Sequence, residues 1–185
     1  MLEAVLTTLR SRDPLPLLTP EKVWDASLSR QIQTASDTEL WGAVDDSPTA
    51  QLCRAGLLLW NDDLDAAHEI AQRYEGDQTA DYWHAIMHRR EGDEGNARYW
   101  WRRVGAHPAF EDMGRATVAM LRDQSESGAQ SFAAQLERVG TWLPVEFTAL
   151  CARASGDDTW LRRVQVMEID TFLGWCANRL IKTNP

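Results

Sequence analysis

Two histidines one helical turn apart, His84 and His88, are the residues whose type and spacing point most directly to chemistry. At roughly 100° per residue, Asp81, His84, His88 and Glu91 fall on one continuous stripe of a helix. A His-x-x-x-His pair sets two imidazoles on one face, as zinc and di-iron centres require, and Glu91 would be a third ligand. Asp65-x-x-His68 and Asp81-x-x-His84 are looser forms of the carboxylate-x-x-His pattern. The same region is dense in cations: Arg89, Arg90, Arg98, Arg102 and Arg103, with His107 beyond them. Guanidinium forks take carboxylate or phosphate bidentately, and Trp83, Tyr99, Trp100 and Trp101 offer faces for stacking.

Three readings of the segment from Thr79 to Pro108 stand side by side. In the first, His84, His88 and Glu91 hold a metal for a metal-dependent enzyme. In the second, Trp83, His84, His88, Arg89, Tyr99, Arg102, Arg103 and His107 line a half-covered groove for an acidic ligand. In the third, arginines and histidines pair with acids such as Glu91, Asp93 and Glu94 between helices, and the tryptophans fill space, giving a purely structural scaffold.

Other candidates are plainer. His68 lies at the edge of the apolar face of Leu64, Ala67 and Ala71 and reads as an interhelical histidine. The acidic run Asn61-Asp62-Asp63-Leu64-Asp65 lacks the glycine and distal glutamate of a calcium loop, and reads as an N-cap. Glu168, within an apolar helix after Arg162 and Arg163, reads as a buried ion-pair acid or an acid facing a groove. No GxSxG, GxGxxG or GxxxxGK[ST] occurs, so the familiar nucleotide loops are missing and no cofactor is implied.

The elements that must position these residues are helical. Ser36-Asp-Thr-Glu39 is a capping box, and Ser47-Pro48 a cap followed by a first-turn proline, ahead of a helix from Thr49 to Trp60. Thr19-Pro20-Glu21 reads as another helix start after the proline-rich connector from Asp13. His107-Pro108 opens a helix to about Arg122, Gln124 to Gly128 is a polar loop, and Ser155 to Asp158 is a tight turn. The last helix, about Thr159 to Ile181, is apolar on most sides and reads as central.

An offset of 30 positions relates Ala55, Asp63 and Ala67 to Ala85, Asp93 and Ala97. This pattern of a small residue, an acidic turn and a second small residue, with Trp101 and Pro108 after it, resembles the tetratricopeptide repeat over about residues 49–108. The resemblance implies a right-handed stack of helical hairpins. His84 and His88 stand where that repeat places apolar residues, so the repeat register turns the stripe toward the neighbouring helix, whereas simple amphipathicity turns it toward solvent. The strings Tyr82-Trp-His-Ala-Ile-Met-His-Arg-Arg-Glu91 and Tyr99-Trp-Trp-Arg-Arg103 also resemble an uncharacterised microbial family, which implies no activity.

Composition narrows the classes. A formal charge of −9 opposes general binding to nucleic acid or anionic membranes. The three cysteines, Cys53, Cys151 and Cys176, form no CxxC pair, and an odd number argues against a disulfide framework and for a reducing, cytoplasmic compartment. The N-terminus carries no signal-peptide pattern. The sequence thus predicts a single all-α domain over 1–185, with N-terminal helices and connector in 1–46, repeat-like hairpins in 47–108 and C-terminal helices in 109–185. The expected function is recognition of an acidic small molecule, peptide or protein partner rather than catalysis.

Overall fold

Aspartate and serine side chains start most of the early helices. Asp25, Ser36, Asp63, Asp77 and Asp93 each accept hydrogen bonds from backbone amides one turn into the helix that follows, satisfying donors the helix cannot pair itself. A computed structural model describes residues 1–42, 48–154 and 159–182, and over these the chain is all-α. The helices are α1 (Leu2–Arg10), α2 (Ala26–Thr34), α3 (Asp37–Trp41), α4 (Pro48–Trp60), α5 (Leu64–Arg73), α6 (Gln78–Glu91), α7 (Glu94–Val104), α8 (Phe110–Leu121), α9 (Ser127–Val139), α10 (Pro144–Ala152) and α11 (Thr159–Lys182). No helix among the described residues is long and apolar enough to cross a membrane. The expected cap at Ser47 and the expected turn at Ser155 to Asp158 lie outside the described residues.

The capping box at Ser36 forms with both of its hydrogen bonds, and Gly42 closes α3 in the left-handed region. The helix start expected at Thr19-Pro20-Glu21 does not form; α2 begins at Ala26, capped by Asp25. The reason is tertiary: the amide of Trp24, which a helix from Thr19 would turn to the Pro20 carbonyl, donates to Asn61 instead. Just upstream, Arg162 binds the carbonyls of Leu15 and Pro16, and Gln165 and Arg90 bind that of Leu17, which fixes the path of the connector.

The 30-residue offset has a geometric counterpart. The turn from α4 to α5 and the turn from α6 to α7 repeat position by position. Asp62 and Gly92 are both left-handed, at φ 63° and 83°. The next amides, of Asp63 and Asp93, donate to the carbonyls of Leu58 and His88. Asp63 and Asp93 then cap α5 and α7 with nearly the same backbone angles. Ala55, Ala67, Ala85 and Ala97 are all buried, so each pair of helices approaches over small side chains. A left-handed aspartate is costly where glycine is free. Asp62 is held there by two arginines, Arg12 at 2.5 Å and Arg90 at 2.5 Å.

Hairpins α4/α5 and α6/α7 pack in succession through α5 and α6, and α8/α9 forms a further hairpin held against α11. The last two helices depart from that order: α10 packs chiefly on α7, and α11 runs back across α4 and α8. The central place expected for α11 is observed. Trp160, Leu161, Val164, Glu168, Ile169, Phe172, Leu173 and Cys176 form its buried stripe, and Phe172 stacks on Tyr82 of α6 at 3.6 Å between ring centroids. One core cluster extends from Val5 to Leu180.

The approach of α4 to α6 depends on Gly56. A Cβ placed there would lie 2.6 Å from the indole of Trp83, which is itself buried. Gly56→Ala is therefore expected to destabilise by about 1–3 kcal/mol, the usual cost of overpacking, despite alanine's better helix propensity. Urea unfolding at constant slope checks this, and a stabilised variant would show that Trp83 can move.

Candidate functional site

Helix α6 carries most of the residues the sequence singles out, and its surroundings decide what they can do. It sits between α5 and α7, with α4, α10 and α11 also against it. From Ala80 to Arg90 every residue is buried. The stripe of Asp81, His84 and His88 is thus covered, not half open, and only Glu91 at its end is exposed. The histidines face the neighbouring helices α5 and α7 and not solvent, the direction that simple amphipathicity gives them.

His84 stacks on Trp100 of α7 at 4.0 Å between ring centroids, and the edge of His68 from α5 meets it at 4.9 Å. His88 continues the stack one turn on, 5.9 Å from His84 and 5.6 Å from His68. Its Nδ1 lies 2.9 Å from Glu91 Oε2. Neither ring nitrogen of His84 finds a partner among the described residues. Burial, with His68, His88 and Arg103 nearby, pushes the His84 pKa down to about 4, so the ring is neutral at ordinary pH.

Three imidazoles so close invite a metal reading, but the groups around them are otherwise engaged: His84 stacks on Trp100 and His88 faces Asn96 and Glu91. Glu91 bonds to His88 rather than completing a ligand set. Among the described residues no group of three or more His, Cys, Asp or Glu side chains is arranged to hold a metal ion.

The cation cluster divides in the same way. Arg89 points into the core, where Nη2 meets Glu168 Oε2 at 2.6 Å; both side chains are 1% exposed or less. Trp142 Nε1 donates to the other oxygen of Glu168 at 3.1 Å, and the guanidinium lies over Phe147 at 4.7 Å. Glu168 outweighs the desolvation of Arg89 and holds its pKa above the ordinary value. The same carboxylate and burial push the Tyr82 hydroxyl well above its ordinary range. Arg90 binds Asp62 and the carbonyls of Leu59 and Leu17, which ties the N-terminal connector to α6. Of the two sequence readings of Glu168, the buried ion pair is the one present.

The remaining residues of the predicted groove do not share a face with these. His107 is buried by Tyr82, Phe172 and Trp175, and burial with Arg179 nearby lowers its pKa to about 4. Tyr99, Arg102 and Arg103 are exposed on α7. Arg103 bonds to Asp81 at 3.2 Å and lies over Trp100, closing the histidine stack from outside. The expectation of one groove lined by Trp83, His84, His88, Arg89, Tyr99, Arg102, Arg103 and His107 is corrected here. Five of them pack inside, because the hairpins and α11 enclose α6 on every side, and three lie on the outer face of α7.

A concave site does lie against the other end of α7. Between α7, α9 and α10 is a cleft of about 450 Å³ with Phe132, Val145, Ala149 and Leu150 as its floor and Arg98, Glu146 and Arg153 around it. Through Gly128, Leu150 and Arg153 it adjoins a second hollow of about 510 Å³ that reaches Trp160. Arg98 pairs with Glu94 at 2.8 Å, while Arg153 is held at the end of α10 by its Nε bond to the Ala149 carbonyl. Pockets that bind small molecules combine an apolar lining with a few charged groups, and this cleft has that make-up. Apart from Arg98, its residues carry no sequence signal: they come from α9 and α10, beginning 30 positions after Arg98, and each alone reads as an ordinary core or surface residue. Compared with family models, curated proteins and solved structures, the chain matches none.

Proposed function

We propose that this chain is a helical-repeat recognition scaffold that binds an acidic ligand with an apolar body in the cleft between α7, α9 and α10. The observation that carries the reading is the flanking of one apolar floor by two guanidinium groups, Arg98 and Arg153. A carboxylate would meet the arginines, and its hydrocarbon part would cover Phe132, Val145 and Leu150. Burial of about four methylene groups on that floor would contribute roughly 3 kcal/mol, and a charge-assisted pair to arginine adds orientation. The repeated turn at 62–63 and 92–93, with its four buried alanines, supports a scaffold of tetratricopeptide-like hairpins. The interior residues Trp83, His84, His88, Arg89 and His107 serve that scaffold as packing, and they are not assigned to the ligand.

The test is a series of straight-chain carboxylates of four to ten carbons against the matching alcohols, read by calorimetry and thermal shift. Carboxylates should bind and affinity should rise with chain length. Arg153→Gln should weaken binding at least about tenfold, the loss of one charged hydrogen bond, and leave the unfolding midpoint in place. Equal binding of alcohols and acids, or no binding by any member, would sink the reading.

A further inference from the structure

Helix α9 begins without the side-chain cap that starts α2, α5, α6 and α7. Glu126 occupies its N-cap position, but the carboxylate accepts no bond from the helix. The first bond of the helix runs from the Gln130 amide to the Glu126 carbonyl. Among the described residues the amides of Ser127, Gly128 and Ala129 have no partner. The positive end of the helix dipole is therefore left open.

A second donor meets this helix start. Glu126, Ser127 and Gly128 border the hollow of about 510 Å³ that adjoins the cleft, and so does Trp160 of α11. Trp160 is only 7% exposed, and its indole packs on the first turn of α9: a Cβ at Gly128 would lie 3.3 Å from Cζ2 and 3.8 Å from Nε1. The indole N–H has no hydrogen-bond partner among the described residues. Unlike Nε1 of Trp60 and Trp83 it is not sealed from solvent, so it opens into the hollow that the ring lines. Backbone amides and an indole N–H gathered at one concave place are donors that lack an acceptor, and an anion supplies one. Arg153 stands where hollow and cleft join and adds positive charge, whereas the exposed carboxylate of Glu126 borders the hollow and acts against an anion.

We infer, resting on the cleft reading above, that the ligand carries two acid groups: one at Arg98 in the cleft, the other at the first turn of α9 beside the Trp160 N–H. The hydrocarbon between them lies over Leu150, which lines both spaces. The class is thereby narrowed from an acid with an apolar body to an α,ω-dicarboxylate. The charge of the chain makes this discriminating. At −9 its overall field opposes a second negative charge on any ligand, so tighter binding of the dianion has to come from local donors. Two fixed ends also select a length. Affinity for dicarboxylates should peak at one chain length, whereas for monocarboxylates it rises with each methylene.

The test compares dicarboxylates and monocarboxylates of four to ten carbons on the full-length chain, by calorimetry at matched ionic strength. At its best length the dicarboxylate should bind at least about tenfold more tightly than the monocarboxylate of equal length. Ser127→Pro removes one first-turn amide at a position where proline is favoured, and Glu126, at φ −68° and ψ 126°, already has the backbone of a residue before proline. The variant should keep its unfolding midpoint and its monocarboxylate affinity and lose most of the dicarboxylate gain. Trp160→Phe, which keeps a ring and removes the N–H, should also reduce the gain. Glu126→Gln should raise dicarboxylate affinity by about twofold or more. If monocarboxylates bind and no dicarboxylate binds more tightly, the second position is overturned and the cleft reading stands. If no carboxylate of either kind binds, both fall. A dicarboxylate gain that survives both Ser127→Pro and Trp160→Phe would place the second acid elsewhere and overturn the assignment.

Discussion

Arg89→Met is expected to destabilise the protein by about 3–5 kcal/mol, because it strands the carboxylate of Glu168 in the core. Glu168 is fully buried, and its remaining neighbours, Trp142 Nε1 at 3.1 Å and the Tyr82 hydroxyl at 3.4 Å, are neutral donors. Neither can supply the charge that Arg89 supplies at 2.6 Å. Glu168→Gln alone leaves the opposite charge unpaired and should cost a similar amount. The double variant Arg89→Met with Glu168→Gln removes both charges and keeps an acceptor for Trp142. It should therefore be more stable than Arg89→Met by about 1 kcal/mol or more, a coupling that urea unfolding of the four proteins measures directly. The result bears on function as well as on stability. An arginine that served a ligand would lower affinity when replaced and leave the fold alone. A cost under about 1 kcal/mol for Arg89→Met, with no coupling to Glu168, would return Arg89 to the list of ligand-binding candidates.

The reason Arg89 looked available in the sequence is instructive. Its neighbours Arg90, Arg102 and Arg103, and the histidines around it, mark the segment as polar, so an amphipathic helix with one wet face is the natural inference. What the segment cannot disclose is that α11, contributed from about 80 positions later, brings Glu168 to that face. The signals that were legible are local ones. The capping box at Ser36, the acidic turns at Asp63 and Asp93, and the alanines 30 positions apart each depend on residues within one turn or one hairpin, and each takes the expected form. The helix start at Thr19 is local too, yet it does not form, because the Trp24 amide that such a helix needs is taken by the Asn61 carbonyl. The cleft at Arg98 and Arg153 was illegible for the same reason as the Glu168 pair: its lining comes from α7, α9 and α10, and juxtaposition of that kind leaves no spacing to read. His84 and His88 share one face, as their spacing requires, but Trp100 from α7 and His68 from α5 close that face, and neither partner is visible in the spacing.

Acid should unfold this protein from pH values well above the carboxylate range, with His84 and His107 as the cause. Both have pKa values of about 4 in the folded chain against 6.5 when exposed. A base whose pKa is depressed by folding is bound by fewer protons in the native state than in the unfolded one. Its contribution to stability is fully present above pH 6.5 and is lost as the pH falls through the interval down to about 4. Each histidine can contribute up to about 1.4 kcal/mol per pH unit in that interval; allowing for partial screening, the two together should remove about 2–3 kcal/mol between pH 6.5 and pH 5. Asp and Glu with ordinary pKa values titrate below this window, so the slope there reports mainly on histidine. His84→Phe keeps a ring against Trp100 and removes the proton site, and it should flatten the curve by about half without a large loss of stability at pH 7. His107→Phe should do the same, apart from the cost of losing the bond from the Ala109 amide to His107 Nδ1 at 3.1 Å. The measurement is the urea midpoint of each protein at half-unit steps from pH 7.5 to 5. An unchanged slope in His84→Phe would mean that His84 takes up its proton in the folded state. That in turn would require an acceptor within reach of its ring or a route for water to it, so the stack of His68, His84 and His88 would have to open. A flattened slope instead fixes His84 as a neutral, closed element of the core, which is the structural role assigned to it beside the proposed cleft at α7.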